Sequence, residues 1–384
     1  VNLSSLITET TAIDARNDGD LMIIDSIFQG YSNGMKLRGS GTHSVHNSEL
    51  TVMSTGIQGS GSGDLIFNQS NLFSAGDIGE FSQLDTTIEY SDLSGGNAAT
   101  IGLSWTGGNH VLNSVNISRP YAGSSDLISV GIGAWWSTVV GDSVSVSGWH
   151  IGVECESCSI DFGSTSIYDG GTDDGTSISG NNANMIFDYL ETQHSTIAVD
   201  LQGMSTFVSS YWIGDQHNNA LFVGDDSSAA IRDFNTNIIQ GVDAVGGGVL
   251  HWGSEDSTPP TVTVSNTKEY TETTFTITDL VGNTLENVYV ETGPWSESSD
   301  INGDVTLPLF ATGSEVEAVL GGTGAFEMMQ GGVSSQVLQI PIIPAGDWII
   351  PNGLNVVLRA TSDGSAHELS GNLTIESGGS IFLD

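Results

Sequence analysis

The chain has 384 residues, 7 Lys+Arg against 46 Asp+Glu, and a formal net charge of −39. With 38% apolar and only 14% charged residues, it can bury a core and is not a disordered acidic tail. Phosphate binding needs clustered Lys/Arg, and the seven basic residues are scattered along the sequence, so nucleic acid is excluded as a partner. The same field repels anionic lipid and polyuronate and makes cations the natural counter-species, and no apolar run approaches the ~18 residues of a membrane span.

Read in chain order, the first element is a repeat. A short apolar strand closed by Asn/Asp-Ser or a relative ends at Ser26, Ser48, Ser70, Ser91, Ser114, Ser143, Ser164, Tyr189, Ser210 and Phe234, at spacings of 22, 22, 21, 23, 29, 21, 25, 21 and 24. A second strand follows each anchor at Met35, Ile57, Ile78, Ile101, Val130, Ile151, Ile178, Ile197, Leu221 and Leu250. Short strands at a period near 22, punctuated by Gly, Asn, Asp and Ser, predict an all-β fold: a parallel β-helix of about ten to eleven turns over residues 1–255. Ile24, Ile57, Ile101, Leu112, Ile151, Ile197 and Leu221 are expected to stack inward. Asn and Ser suit the corners, because Asn tolerates the left-handed region and both side chains bond backbone groups.

At these residues the sequence resembles the right-handed parallel β-helix, pectin-lyase-like superfamily. That resemblance implies the coil architecture, on which lyases, hydrolases, tailspikes and adhesins are all built, and no particular activity.

After the stiff Pro259-Pro260 boundary, residues 256–349 alternate as strands of a small antiparallel β-sandwich. LVGNTLENVYVE followed by SDINGDVTLPL resembles the carboxypeptidase-regulatory-like or prealbumin-like module, in which Asp300-x-Asn302-Gly303 implies a tight turn. A Ca²⁺ loop is the competing reading of the same residues. Residues 350–384 return to β-helix character. Written before a second Val1, Ile375 precedes Ile13 by 22 residues, and Ser4 precedes Ser26 by 22. Ser4, Ile13, Leu373, Ile375 and Ile381 are therefore expected at a junction between units, either copies joined head to tail by strand addition or repeats of one covalent tandem array. The opening Val1, with no charged-then-apolar leader, reads as a mature or excised piece of a longer precursor.

Candidate sites are set by residue type. Cys155-x-x-Cys158 is read as a disulfide, with free thiols or redox and metal chemistry as alternatives. Asn2, Asn68, Asn116 and Asn372 head glycosylation sequons. The clusters Asp169, Asp173, Asp174 and Asp14, Asp18, Asp20 offer hard oxygen ligands for Ca²⁺, with plain solvation as the alternative. Insertions after Ser114, Ser164 and Phe234 fall at one corner of the coil, and loops on a rigid scaffold carry binding residues. Arg119 and Tyr121 on the first insertion, with Trp135 and Trp136, are candidates for glycan contact.

No lyase-like basic groove, phosphate loop or nucleophile elbow is present in the sequence, so no enzyme is expected. The sequence points to a non-catalytic extracellular structural protein of a prokaryote from a saline habitat: a building block of a cell-surface filament, sheath or long adhesin that joins copies head to tail. The alternatives are a carbohydrate-binding adhesin or tailspike-like receptor binder and, third, a polysaccharide-degrading enzyme.

Overall fold

The computed structural model describes residues 2–4, 11–16, 18–120, 128–168, 175–215, 217–224, 226–236, 242–244, 248–253, 267–320, 323–341, 347–358 and 371–383. Among them there is no helix, and the chain divides into two compact units, Val1–Thr267 and Lys268–Asp384.

The first unit is a parallel β-solenoid. Each coil presents three strands, which we call faces one, two and three. In the first coils face one is Thr11–Ala15, face two is Leu21–Ile24, and the strand Ile27–Arg38 supplies face three and then face one of the next coil. Every face pairs in parallel with its counterpart about one period away, so the strand backbones bond to those of the neighbouring coils.

Period-two alternation sets which side chains enter the coil. On face one the inward column runs Ile13, Met35, Ile57, Gly79, Leu103, Ile132, Val153, Ile178, Val199 and Leu221. The neighbouring inward column passes Leu37, Gly59, Phe81, Trp105, Ala134, Cys155, Gly180 and Leu201. Large and small residues are mixed along it: Leu84 and Phe81 fill the space that Gly59 leaves, and Met185 the space that Gly180 leaves. Cys155 and Cys158 are joined in a disulfide at a corner of this column.

The corners turn through the left-handed region at Asp25, Asn47, Gln69 and Tyr90, with φ of 50°, 47°, 49° and 48°. Each is followed by a buried serine whose hydroxyl donates to the carbonyl two residues back. The hydroxyls of Ser48, Ser70 and Ser91 also accept the backbone N–H of the serine one coil earlier. A polar column is thereby carried through the apolar core with its groups satisfied.

Two parts of the expected register are corrected. Ile24 points outward and is 50% exposed, because Leu21 and Ile23 take the inward positions of its strand. Ile101, Ile151 and Ile197 are half-buried at the start of face one, two residues ahead of the fully inward Leu103, Val153 and Val199.

In the second unit a smaller, mainly antiparallel sheet is built from Tyr289–Thr292, Trp295–Ser298, Ser314–Leu320 and Thr323–Met329. Thr267–Asp279 pairs antiparallel with Asp304–Phe310 and parallel with Val337–Ile340. Asp300 closes a tight turn by accepting the N–H groups of Asn302 and Asp304, each at 2.8 Å. These bonds, that from Asp304 foremost, hold its carboxyl below the usual range. The chain then returns to parallel coils: Trp348–Ile350 pairs with Leu373–Ile375, and Asn355–Leu358 with Ser380–Leu383, each at an offset of 25 residues.

Candidate functional site

Two features stand out: the exposed coil edges and a groove on face one of the solenoid. At the C-terminal coil, parallel pairing puts Leu373 and Ile375 on the same side as Trp348 and Ile350, and Ile381 above Val356. Trp348, Ile350 and Val356 are buried, whereas Leu373 and Ile375 are each 46% exposed and Leu383 is 81% exposed. The last coil thus repeats the inward pattern of its predecessor, and among the described residues its outer strand edges pair with nothing. The other edge lies at the first solenoid coil. Ile13 stacks under Met35, and Ile13, Ala15 and Leu21 are only partly buried against the core, being covered from one side. Ser4 is not in the Ser26 column, since it pairs with Gln29. The first coil carries extra residues between faces three and one, which shifts its face-three strand.

The groove lies on the outward side of face one. Along one outward column run Asp14, Lys36, Gln58, Glu80, Ser104 and Gly133; along the next, Arg38, Ser60, Ser82, Thr106 and Trp135. The stretch from Lys36 and Arg38 to Ser104 and Thr106 forms an open depression of about 340 Å³. Gln58 donates to Glu80 at 3.1 Å. Arg16 is paired with Asp14, and the hydrogen bond from Arg16 is the main cause that holds the Asp14 carboxyl below its usual range, with smaller pulls from Arg38 and Lys36. Neither Lys36 nor Arg38 makes an ion pair or side-chain hydrogen bond with a described residue. One rung beyond Thr106, past the residues that line this depression, the Trp135 ring lies over Gly133, where a Cβ would overlap the indole. Three of the seven basic residues thus converge, although they looked scattered in the sequence. The coil brings residues 22 apart to adjacent rungs.

The other expected site residues are placed differently. Arg119 is only 7% exposed, so it does not face solvent from a protruding loop. Its backbone N–H continues the ladder to Ser147, its guanidinium sits 5.8 Å from the Trp149 ring and donates to the Asn97 carbonyl, and burial pushes its pKa down. Trp136 occupies a left-handed corner and is 65% exposed. Tyr121 and the cluster Asp169, Asp173 and Asp174 lie outside the described residues. Asp18 accepts from the Ser40 hydroxyl at 2.7 Å and Asp20 from the Thr42 N–H at 2.9 Å, so with Asp14 these carboxylates serve separate contacts. Among the described residues no three His, Cys, Asp or Glu side chains converge on a metal position. Of the sequon asparagines, Asn372 is exposed and bonded to Asp347, Asn116 donates to Asp92, and Asn68 is half-buried in its ladder. Asn2 lies in the strand Asn2–Ser4.

The chain matches no protein-family model, no curated protein and no solved structure.

Proposed function

We propose that this protein is a non-catalytic extracellular structural subunit, a building block of a cell-surface filament, sheath or long adhesin, whose coils stack head to tail. The pectin-lyase-like resemblance is taken as one of coil architecture alone. The observation that carries the reading is the match between the two coil edges. In the last C-terminal coil the inward positions Leu373, Ile375 and Ile381 are separated by two and six residues. Ile13, Ala15 and Leu21 in the first solenoid coil have the same separations. Leu373 therefore stacks on Ile13 of a second copy, Ile375 on Ala15 and Ile381 on Leu21. This amends the spacing-based pairing of Ile375 with Ile13 by one inward position.

A parallel strand edge with exposed apolar side chains recruits another strand, which satisfies its backbone groups and buries its side chains. A −39 charge works against association of folded copies, and these contacting residues are uncharged, which confines attraction to the ends. The Cys155–Cys158 disulfide supports an oxidising, extracellular setting.

Sedimentation and negative-stain imaging of the wild type and of Leu373→Asp/Ile375→Asp test the reading. End-to-end oligomers are expected for the wild type and monomers of unchanged circular dichroism for the variant, since both positions are exposed. A wild type that stays monomeric at high concentration and salt, or a variant that assembles equally, would contradict it.

A further inference from the structure

We infer that the face-one groove binds an anionic saccharide, with a carboxylate or sulfate held between Lys36 and Arg38 and a sugar ring stacked on Trp135. This goes beyond the assembly reading and does not depend on it, because the groove is complete in one copy.

The charge balance is the first observation. Carboxylates outnumber cations 46 to 7, so a Lys and an Arg side by side without an ion pair among the described residues run against the composition. Arg16, on the preceding rung, is matched by Asp14. Lys36 and Arg38 share one strand two residues apart, so both point outward to the same side. A guanidinium presents a fixed fork that fits the paired oxygens of a carboxylate or sulfate, and the ammonium adds a mobile point charge.

The second observation is the row of polar groups along the groove. Beyond Arg38 come the hydroxyls of Ser60, Ser82 and Thr106, one per rung, and beside them Gln58, Glu80 and Ser104. The hydroxyls and Gln58 donate and accept at intervals of roughly 4.8 Å, while the Glu80 carboxylate only accepts and takes the Gln58 amide. Such a row suits a polyol and gives an apolar peptide nothing to bury. Nucleic acid would need many more cations than two.

The third observation is Trp135 itself. It lies four rungs from Arg38, roughly 19 Å at strand spacing. Because Gly133 has no Cβ, the indole rests on the sheet. A half-buried indole in the outward column offers an apolar face to the C–H side of a sugar ring while its own conformation is already fixed. Cation pair, hydroxyl row and aromatic platform occupy two adjacent outward columns of one face over five rungs, a run that suits an extended oligosaccharide.

Isothermal titration at about 0.15 M salt, where the −39 field that repels anions at long range is screened to about 8 Å, tests the inference with four probes: a chondroitin sulfate tetrasaccharide, tetragalacturonate, the neutral maltotetraose and inorganic sulfate. Binding of one or both charged tetrasaccharides, stronger than that of maltotetraose and of free sulfate, is expected, and the comparison of the two reports whether sulfate or carboxylate is preferred. Lys36→Gln/Arg38→Gln should weaken binding by about tenfold or more, Trp135→Ala should weaken it without changing its salt dependence, and Trp136→Ala should leave it unchanged. Failure of both charged probes to bind, equal binding of maltotetraose or of free sulfate, or affinity unmoved by Lys36→Gln/Arg38→Gln in a variant of normal melting temperature would overturn the inference.

Discussion

The backbone N–H of Ser48 donates to the Ser70 hydroxyl at 3.0 Å, and that hydroxyl donates in turn to the Asn68 carbonyl at 2.8 Å. Gln69, in the left-handed region between them, turns the chain, and the serine supplies what the turned backbone no longer can. Replacing Ser48 with Ala removes the acceptor for the buried Ser26 N–H. Stability should fall by about 1–3 kcal/mol, the cost of an unsatisfied buried donor. Urea denaturation of Ser48→Ala measures it, and an unchanged midpoint would show that the ladder contributes nothing.

Ile57 and Ile24 make a matched pair for testing the coil register. Ile57 is 4% exposed in the face-one column and Ile24 is 50% exposed on the outside. Ile57→Asp buries an unpaired charge and should cost about 4 kcal/mol or more, whereas Ile24→Asp should stay within about 0.5 kcal/mol. Equal effects on the melting temperature would mean that the inward and outward faces are wrongly assigned.

A third prediction concerns pH. His110 stacks on Trp105 at 4.8 Å, shares a hydrogen bond with the Thr86 hydroxyl and faces the Gly107 carbonyl. Burial pushes its pKa down from 6.5 to about 4, against smaller upward pulls from the Gly107 carbonyl and Asp85. His217, enclosed by Thr192 and Ser195, is lowered chiefly for the same reason. Between pH 6.5 and 4 the unfolded chain takes up protons at these sites that the folded chain does not, so stability falls as pH falls through that window. The His110 contribution at the acid end is at most about 3 kcal/mol. Melting temperatures of the wild type and His110→Gln across this range should show a shallower acid loss in the variant; parallel curves would remove His110 as a cause.

How far the sequence carried the fold depends on what each corner position needs. Ser26, Ser48, Ser70 and Ser91 were legible because left-handed and buried positions alternate there as Asn/Asp/Gln/Tyr then Ser. From Ser114 to Tyr189 the count slips by one, and at Phe234 it returns to the buried column. Ser114 and Ser143 themselves take the left-handed φ, 54° and 55°, and the buried position passes to Val115 and Val144. One residue type serves both roles, so spacing alone could not separate them. Ile13, Met35 and Ile57 share one true column that their spacing reveals; Ile101 does not join it, because Gly79 interrupts the apolar run that leads to Leu103. The face-one groove was invisible for a different reason. Lys36, Thr106 and Trp135 come into line along the groove only once five successive coils are stacked, and the cations are few enough to look dispersed. Arg119 misled because a charged side chain beside an insertion suggests solvent, while Trp149 offers it a buried aromatic face.

Cysteine cross-linking between copies measures head-to-tail stacking at single-residue resolution. Adjacent parallel strands place paired Cα atoms at about 5 Å, within the range a disulfide spans. A chain carrying Ile375→Cys is mixed with one carrying Ala15→Cys under mild oxidant, with Ile375→Cys and Arg16→Cys as the control pair, in which the second cysteine lies one residue away on the opposite side of the strand. The account predicts a covalent dimer for the first pair and little or none for the control. Equal cross-linking in both pairs, or none in either while the wild type forms filaments, would contradict it.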